Sequence, residues 1–255
     1  MKAVHLRDHE EVEAIRAAAQ LVARTLGRIR EEIRPGVTTA ELDHLADDFI
    51  RSQGGRPSFK GYRGYPASIC SSVNDEVVHG IPGGRVLAEG DIVGIDVGVE
   101  MDGYHGDAAC TFPVGKVTAE ASRLLQVTRE ALERGIAQAR PGQRIGDISH
   151  AIQSHVEANG FSVVRALVGH GIGREMHEEP QVPNYGPPGR GPKLMVGQVL
   201  AIEPMVNAGG PEVLTREDGW TIATEDGSLS AHFEHTVAVD ANGPRILSDP
   251  VGLAS

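Results

Sequence analysis

From about His9 to Glu32, apolar residues recur at three- and four-residue steps: Val12, Ile15, Ala19, Val22, Leu26 and Ile29, with arginine and glutamate between them. That period matches the 3.6-residue turn and predicts an amphipathic helix. Arg34-Pro35-Gly36 stops it. A second helix begins at Thr38 or Thr39, either a good N-cap, carries Leu42, Leu45, Phe49 and Ile50, and ends at Gly54-Gly55. The same order returns downstream. Residues 120–139 set Leu124, Val127, Ala131, Leu132 and Ile136 on one face, Arg140-Pro141-Gly142 interrupts, and another helix carries Ile148, Ile152 and Val156 up to Gly160. A shift of 106 superposes the two Arg-Pro-Gly turns and also sets Leu42 on Ile148, Ile50 on Val156 and Gly54 on Gly160. Chance is the alternative, because Pro-Gly is a common turn. Agreement of several positions at one shift favours an internal repeat.

Elsewhere the period drops to two. Hairpin-like groups of strands are predicted over 90–115, 161–173, 198–209 and 219–240, and the stretch NYGPPGRGPK (184–193) reads as a loop. The expected fold class is α+β: one domain over 1–255, built of two pseudo-symmetric halves at about 9–118 and 119–240. Each half would set a helix pair against antiparallel strands, and a site between the halves would draw ligands from both.

Composition narrows the function classes. Twenty-four basic against 35 acidic residues give a formal charge of −11, without the basic footprint of a nucleic-acid surface. Two cysteines, Cys70 and Cys110, exclude a disulfide scaffold and suit a reducing cytosol. The first twenty residues hold no apolar signal segment, and no run approaches the ~18 apolar residues of a membrane span. A cytoplasmic protein that contacts neither membrane nor DNA is expected.

The candidate chemistry lies in carboxylates placed where they are costly. Within IVGIDVGVE, Ile95, Val97 and Val99 share one strand face, and Gly94, Asp96 and Gly98 the other. A turn centred between Met101 and Asp102 puts Asp107 directly across from Asp96; one centred at Asp102-Gly103 displaces it by two residues on the same face. Side by side the two charges repel, and a divalent cation between them relieves the repulsion. Two ordinary acids on a solvent-facing hairpin are the bland alternative. Glu203 sits among apolar neighbours in VLAIEPMVN, and Glu234 shares a strand face with Thr236 and Ala238. Either alone reads as a solvent-facing strand glutamate. His170 enters a glycine-flanked turn in GHGIGREMH (169–177), seven residues before His177. That interval fits neither a helix face nor one side of a plain strand. Four acids and one imidazole at β segments of both halves suit two divalent ions (Mn, Fe, Co or Zn) better than one structural zinc.

The ordered set HGIP (79–82), DVGVEMDGYHGD (96–107), GHGIGREMHEEP (169–180), IEPM (202–205) and FEHT (233–236) resembles the type I, bacterial methionine aminopeptidases of the pita-bread, M24 peptidase family. The resemblance runs from about residue 5 to 248. It implies a central, curved antiparallel sheet backed by helices. It also implies removal of N-terminal methionine from peptides and nascent chains, with a small second residue preferred, by a hydroxide bridging a dinuclear metal centre.

By the same resemblance, Asp96, Asp107, His170, Glu203 and Glu234 are metal ligands, Asp107 and Glu234 bridging, for two ions of Co, Mn, Fe or Zn. Glu203 is also the proton acceptor, and His79 and His177 contact substrate without binding metal. Tyr62, Tyr65, Cys70 and Trp220 wall the methionine pocket, with Phe59 at its rim and Met176 beside His177. Asn74, Glu76 and Ser230 match a loop for a monovalent cation, Na or K. Phe59 and Met176 depart from the family's habit of a smaller residue and an aromatic. The implied protein is a monomer with a possible station at the ribosome. The rival readings are an X-Pro aminopeptidase or prolidase-like enzyme of the same fold, and a metal-free binding protein on it. His232 shares a face with Glu234 but carries no assigned role.

Overall fold

Asp8 and Thr38 fix the starts of the first two helices. Each side chain accepts the N–H three residues on, and the glutamate there, Glu11 or Glu41, reaches back to the cap's own N–H. The computed structural model describes residues 4–249. Helix α1 spans His9–Glu32 and α2 Thr39–Ser52, followed by the strands β1 (Arg56–Pro57), β2 (Cys70–Val73), β3 (Glu76–Val78), β4 (Ile92–Met101) and β5 (Tyr104–Pro113). Then come α3 (Ala119–Ala137), α4 (Ile145–Ala158), β6 (Ser162–Val163), β7 (Val168–Gly171), β8 (Glu178–Pro183), β9 (Val199–Ile202) and β10 (Met205–Asn207). The chain closes with β11 (Val213–Thr215), β12 (Ile222–Thr224), β13 (Ser230–His232), β14 (His235–Asp240) and β15 (Gly243–Ile246).

The two stretches that a shift of 106 superposes are alike in helix length and in the backbone of their glycines. Helices α2 and α4 each hold 14 residues, and the ranges 39–52 and 145–158 differ by 106 at both ends. Gly36 and Gly142 share a positive φ (95° and 89°), as do Gly54 and Gly160 (83° and 76°). One apolar core packs α1 and α2 on β4 and β5 through Leu21, Val22, Ile29, Leu42, Ile50, Ile95 and Val97. A second packs α3 and α4 on the later strands through Leu124, Leu132, Ile148, Ile152, Leu200, Ile202 and Val237. Each such side chain contributes about 1.5–3 kcal/mol on burial.

Every strand pairing among the described residues is antiparallel. The layer divides into four sheets: β4 with β5 on one edge and β1 and β2 on the other, a five-stranded sheet in the order β15-β14-β9-β7-β8, and two of three strands, β13-β10-β6 and β11-β12-β3. The divisions have local causes. Glu203-Pro204 separates β9 from β10, and Phe233-Glu234 separates β13 from β14. Proline has no N–H for the ladder, and both breaks fall at a candidate ligand.

The halves are clasped where β5 meets β13 and β14. Thr236 Oγ accepts the Asp107 N–H (3.0 Å) and donates to the Asp107 carbonyl (2.7 Å), across 129 residues of chain. Thr111 and His232 exchange the same pair of bonds, at 2.8 and 2.9 Å, and the Glu234 N–H reaches the Ala109 carbonyl. No helix among the described residues is long and apolar enough to cross a membrane.

Candidate metal centre

The β4–β5 turn decides how the first pair of candidate ligands is placed. Asp102 and Gly103 both have positive φ (52° and 80°), as a two-residue type I′ hairpin requires. The register therefore pairs Asp96 with Ala109 and Gly98 with Asp107. Of the two registers open to the sequence, this is the displaced one, with both carboxylates on one face. His170, on β7, opposes Ala201 of β9, one residue before Ile202 and two before Glu203. Its Nε2 lies 3.4 Å from Glu203 Oε1 and 4.0 Å from Asp107 Oδ2. Ligand atoms of Asp107, His170 and Glu234 all lie within 4.8 Å of one another.

The donor chemistry fits a divalent cation. His170 Nδ1 lies 2.9 Å from the Gly171 carbonyl. A carbonyl only accepts, so Nδ1 carries the proton and Nε2 offers a lone pair to the site. Burial lowers the His170 pKa to about 4 and keeps the ring neutral. Asp96 Oδ1, Asp107 Oδ1 and Glu234 Oε1 are buried without a hydrogen-bond partner, a costly state that a cation resolves. Burial pushes Asp96 up to about 7. It raises Asp107, Glu203 and Glu234 well above the carboxylate range, with neighbouring carboxylates adding to the effect. Such a set ionises together only around positive charge.

The other predicted residues surround this centre. His79 follows β3 in left-handed backbone (φ 59°), a strained conformation for a histidine. Burial holds its ring toward the neutral form. The His177 ring lies 4.2 Å from that of His170, and its Nδ1 is 2.9 Å from the Tyr62 hydroxyl. Desolvation of its inner face and the adjacent His170 hold it neutral.

Phe59, Tyr65, Cys70 and Met176 form one buried apolar cluster, with Tyr62 and Trp220 packed against it. Tyr65 meets Phe59 and Trp220 edge to face, at 6.5 and 5.1 Å. Cys70 pairs in register with Asp96, so this cluster adjoins the candidate ligands. Gly98 makes room for it: a Cβ there would stand 2.7 Å from the Phe59 ring and 3.0 Å from the Met176 methyl. Ala67 and Ile81 also belong to the cluster, although the sequence marked neither as a pocket residue.

The predicted monovalent-cation residues are engaged with one another and with arginines. Asn74 gives its carbonyl to the Ser230 N–H. The Glu76 carboxylate accepts from Val73 N–H (2.7 Å) and is flanked by Arg85 and Arg216 at 3.2 and 3.3 Å.

Two residues without a role in the sequence reading stand at the centre. His232 is 4% exposed, its Nε2 lies 3.7 Å from Glu203 Oε2, and that nitrogen has no hydrogen-bond partner. Thr236 holds the backbone of Asp107. The signal for both was the strand period that puts them on the Glu234 face.

Comparison with known proteins agrees with this geometry. The sequence matches metallopeptidase family M24 over residues 13–241. It is 55% identical over 243 residues to the methionine aminopeptidase of Clostridium perfringens, covering 95% of this chain and 98% of that one. It is 54% identical over 238 residues to methionine aminopeptidase 1 of Bacillus subtilis, covering 93% and 96%. The crystal structure of methionine aminopeptidase from Rickettsia prowazekii superposes with a TM-score of 0.96 at 44% identity, covering 97% of this chain and all (100%) of that one.

Proposed function

The chain belongs to metallopeptidase family M24, and from that premise we propose that it is a methionine aminopeptidase, removing N-terminal methionine from peptides and nascent chains in the cytoplasm. The observation that carries the reading is adjacency. A buried cluster of aromatic rings, a thiol and a thioether lies beside the carboxylate-rich cluster, joined to it by the Cys70–Asp96 pairing. Methionine suits those surroundings through soft contacts of sulfur with aromatic faces.

Asp96, Asp107, His170, Glu203 and Glu234 would hold two divalent ions, Co, Mn, Fe or Zn. When bound, these supply Lewis acidity and a water of near-neutral pKa. The remaining work falls to side chains. Glu203 is the general base for that water. A Tyr62 hydroxyl donating to His177 Nδ1 leaves the proton on Nε2, which donates to the oxyanion of the tetrahedral carbon. His79, neutral by burial, holds the scissile amide. Phe59 and Met176 close the pocket's far wall against Gly98. A monovalent ion near Asn74 and Ser230 would meet neutral oxygens, because arginines already balance Glu76.

Side-by-side assay of Met-Ala-Ser and Ala-Pro-Ser peptides, with each metal added in turn, tests the reading. Faster release of methionine is the expected result. Faster cleavage of Ala-Pro-Ser would replace it with an X-Pro peptidase. Absence of bound divalent metal under every loading condition would replace it with a binding protein.

A further inference from the structure

The GHGIGREMH stretch is braced from a distance. Arg7 precedes α1, yet its Nη2 lies 2.6 Å from both carboxylate oxygens of Glu178, which is 171 residues away in sequence and follows His177 directly. Both side chains are 7% exposed. The Arg7 N–H bonds the Gly197 carbonyl at 2.8 Å, which ties this segment to the approach to β9. The guanidinium fills the space beneath Gly173. A Cβ at that position would stand 2.5 Å from Nη2 and 2.9 Å from Cζ. Any other residue at 173 would displace the arginine or the turn.

Further contacts lock the same turn. Glu178 Oε1 accepts the Glu175 N–H at 3.1 Å, and the Gly173 carbonyl accepts the His105 N–H at 2.8 Å. Glu11 accepts the Tyr104 hydroxyl at 2.9 Å and lies 3.6 Å from both Arg7 and Arg174. The Arg174 guanidinium covers the Tyr104 ring at 4.5 Å. Residues 173–178 therefore hang on Arg7, on the start of α1 and on the β4–β5 hairpin tip. His177, exposed at the mouth of the site, has one side-chain hydrogen bond of its own, to Tyr62. Its placement depends on how firmly Glu178 is held.

We propose that Arg7 is a positioning residue for His177. A buried guanidinium that clamps both oxygens of Glu178 fixes the turn, and the turn fixes where the imidazole meets the peptide. The inference rests on the methionine aminopeptidase reading. Its physical basis is that misplacing a catalytic group by ~1 Å costs about 100-fold in rate. Lysine cannot reproduce a planar guanidinium facing a carboxylate.

The test is a double-mutant cycle on turnover of Met-Ala-Ser at saturating metal. Arg7→Met is measured in the wild-type and the His177→Ala backgrounds, with bound metal per chain determined for each. Arg7→Met is expected to lower kcat about 10- to 100-fold, with KM within about twofold and metal content unchanged. In the His177→Ala background the same change should have less than about a twofold effect, because the group it positions is gone. Arg7→Lys should recover only part of the loss.

Equal loss in both backgrounds, or wild-type kcat in Arg7→Met, would overturn the proposal. If Arg7→Met does not fold, Glu178→Gln enters the same cycle with the same expectations. Hydrogen exchange provides an arm independent of turnover. Amides of 173–178 should exchange faster in the variant while those of β4 and β5 do not, and uniform acceleration or none would again overturn it. A wild-type enzyme inactive on Met-Ala-Ser would refute the substrate reading, and the exchange arm would still judge Arg7.

Discussion

Stripping the metal leaves Asp96, Asp107, Glu203 and Glu234 together in one site, where burial raises every one of them. The native chain then holds protons that the unfolded chain has already released. By linkage, stability must fall as pH rises from the unfolded carboxylate range through the folded values. Buried histidines act in the opposite sense. His170, His232 and His235 are lowered by burial to about 4, 3 and 4, so their contribution grows with pH until the unfolded value of about 6.5 and is flat beyond it. The carboxyl effect is therefore isolated between about pH 6.5 and 8, below the titration of the buried Cys70 thiol, which is pushed up.

Each proton retained by the native state gives a slope of about 1.4 kcal/mol per pH unit. In a chain of this size 1 kcal/mol moves Tm by about 2–4 °C. Thermal unfolding of chelator-dialysed protein should show Tm falling by about 3–6 °C per pH unit for each retained proton. With saturating Mn the carboxylates stay ionised around the cation, and the fall should vanish. A metal-free Tm that is flat or rising across that window, or an equal fall with metal present, would refute the placement of four acids in one site.

Three substitutions probe the parts separately. Asp96→Asn should abolish peptidase activity and weaken metal binding, yet raise the metal-free Tm at pH 8 by removing one of the buried acids; full activity at saturating metal would defeat the ligand assignment. His79→Ala should lower kcat by about 100-fold or more, in the range of general acid–base contributions, with metal per chain unchanged; a matching loss of metal would make it a ligand. Gly98→Ala puts a methyl 2.7 Å from the Phe59 ring, against a normal contact of about 3.5–4.0 Å, and so drives Phe59 or Met176 into the pocket. Its kcat/KM for methionyl peptides should drop by about 10-fold or more, and less for the shorter norvaline; an unchanged methionine-to-norvaline ratio would show that Gly98 does not shape the pocket.

The helices were legible because their signal is local. Val12, Ile15 and Val22 mark the buried face of α1, and all three are buried in the fold. The capping boxes lie within four residues. Asp96 and Asp107 were legible as a pair because alternation fixes the face whatever the register. The register itself turned on one dipeptide, Asp102-Gly103, whose paired positive φ values set one of the two alignments the strand pattern allowed. The pocket residues were placed by resemblance, since nothing in their own spacing joins Phe59 to Met176 or Trp220. Arg7–Glu178 and Thr236–Asp107 could not be seen beforehand. Each joins side chains or backbone more than a hundred residues apart, through contacts that only the closed fold creates. His232 was placed on the right face without a partner, because its neighbour Glu203 comes from the break between β9 and β10.

The threonine clasp between β5 and β14 also bears on how the enzyme comes into being. Asp96 and Asp107 precede the repeat boundary, whereas His170, Glu203 and Glu234 follow it. A chain emerging from its N-terminus carries these two acids long before the other three residues exist. A metal centre drawing on all five, as proposed above, would be complete only once Thr236 holds the Asp107 backbone. The growing polypeptide would then pass most of its synthesis without that centre.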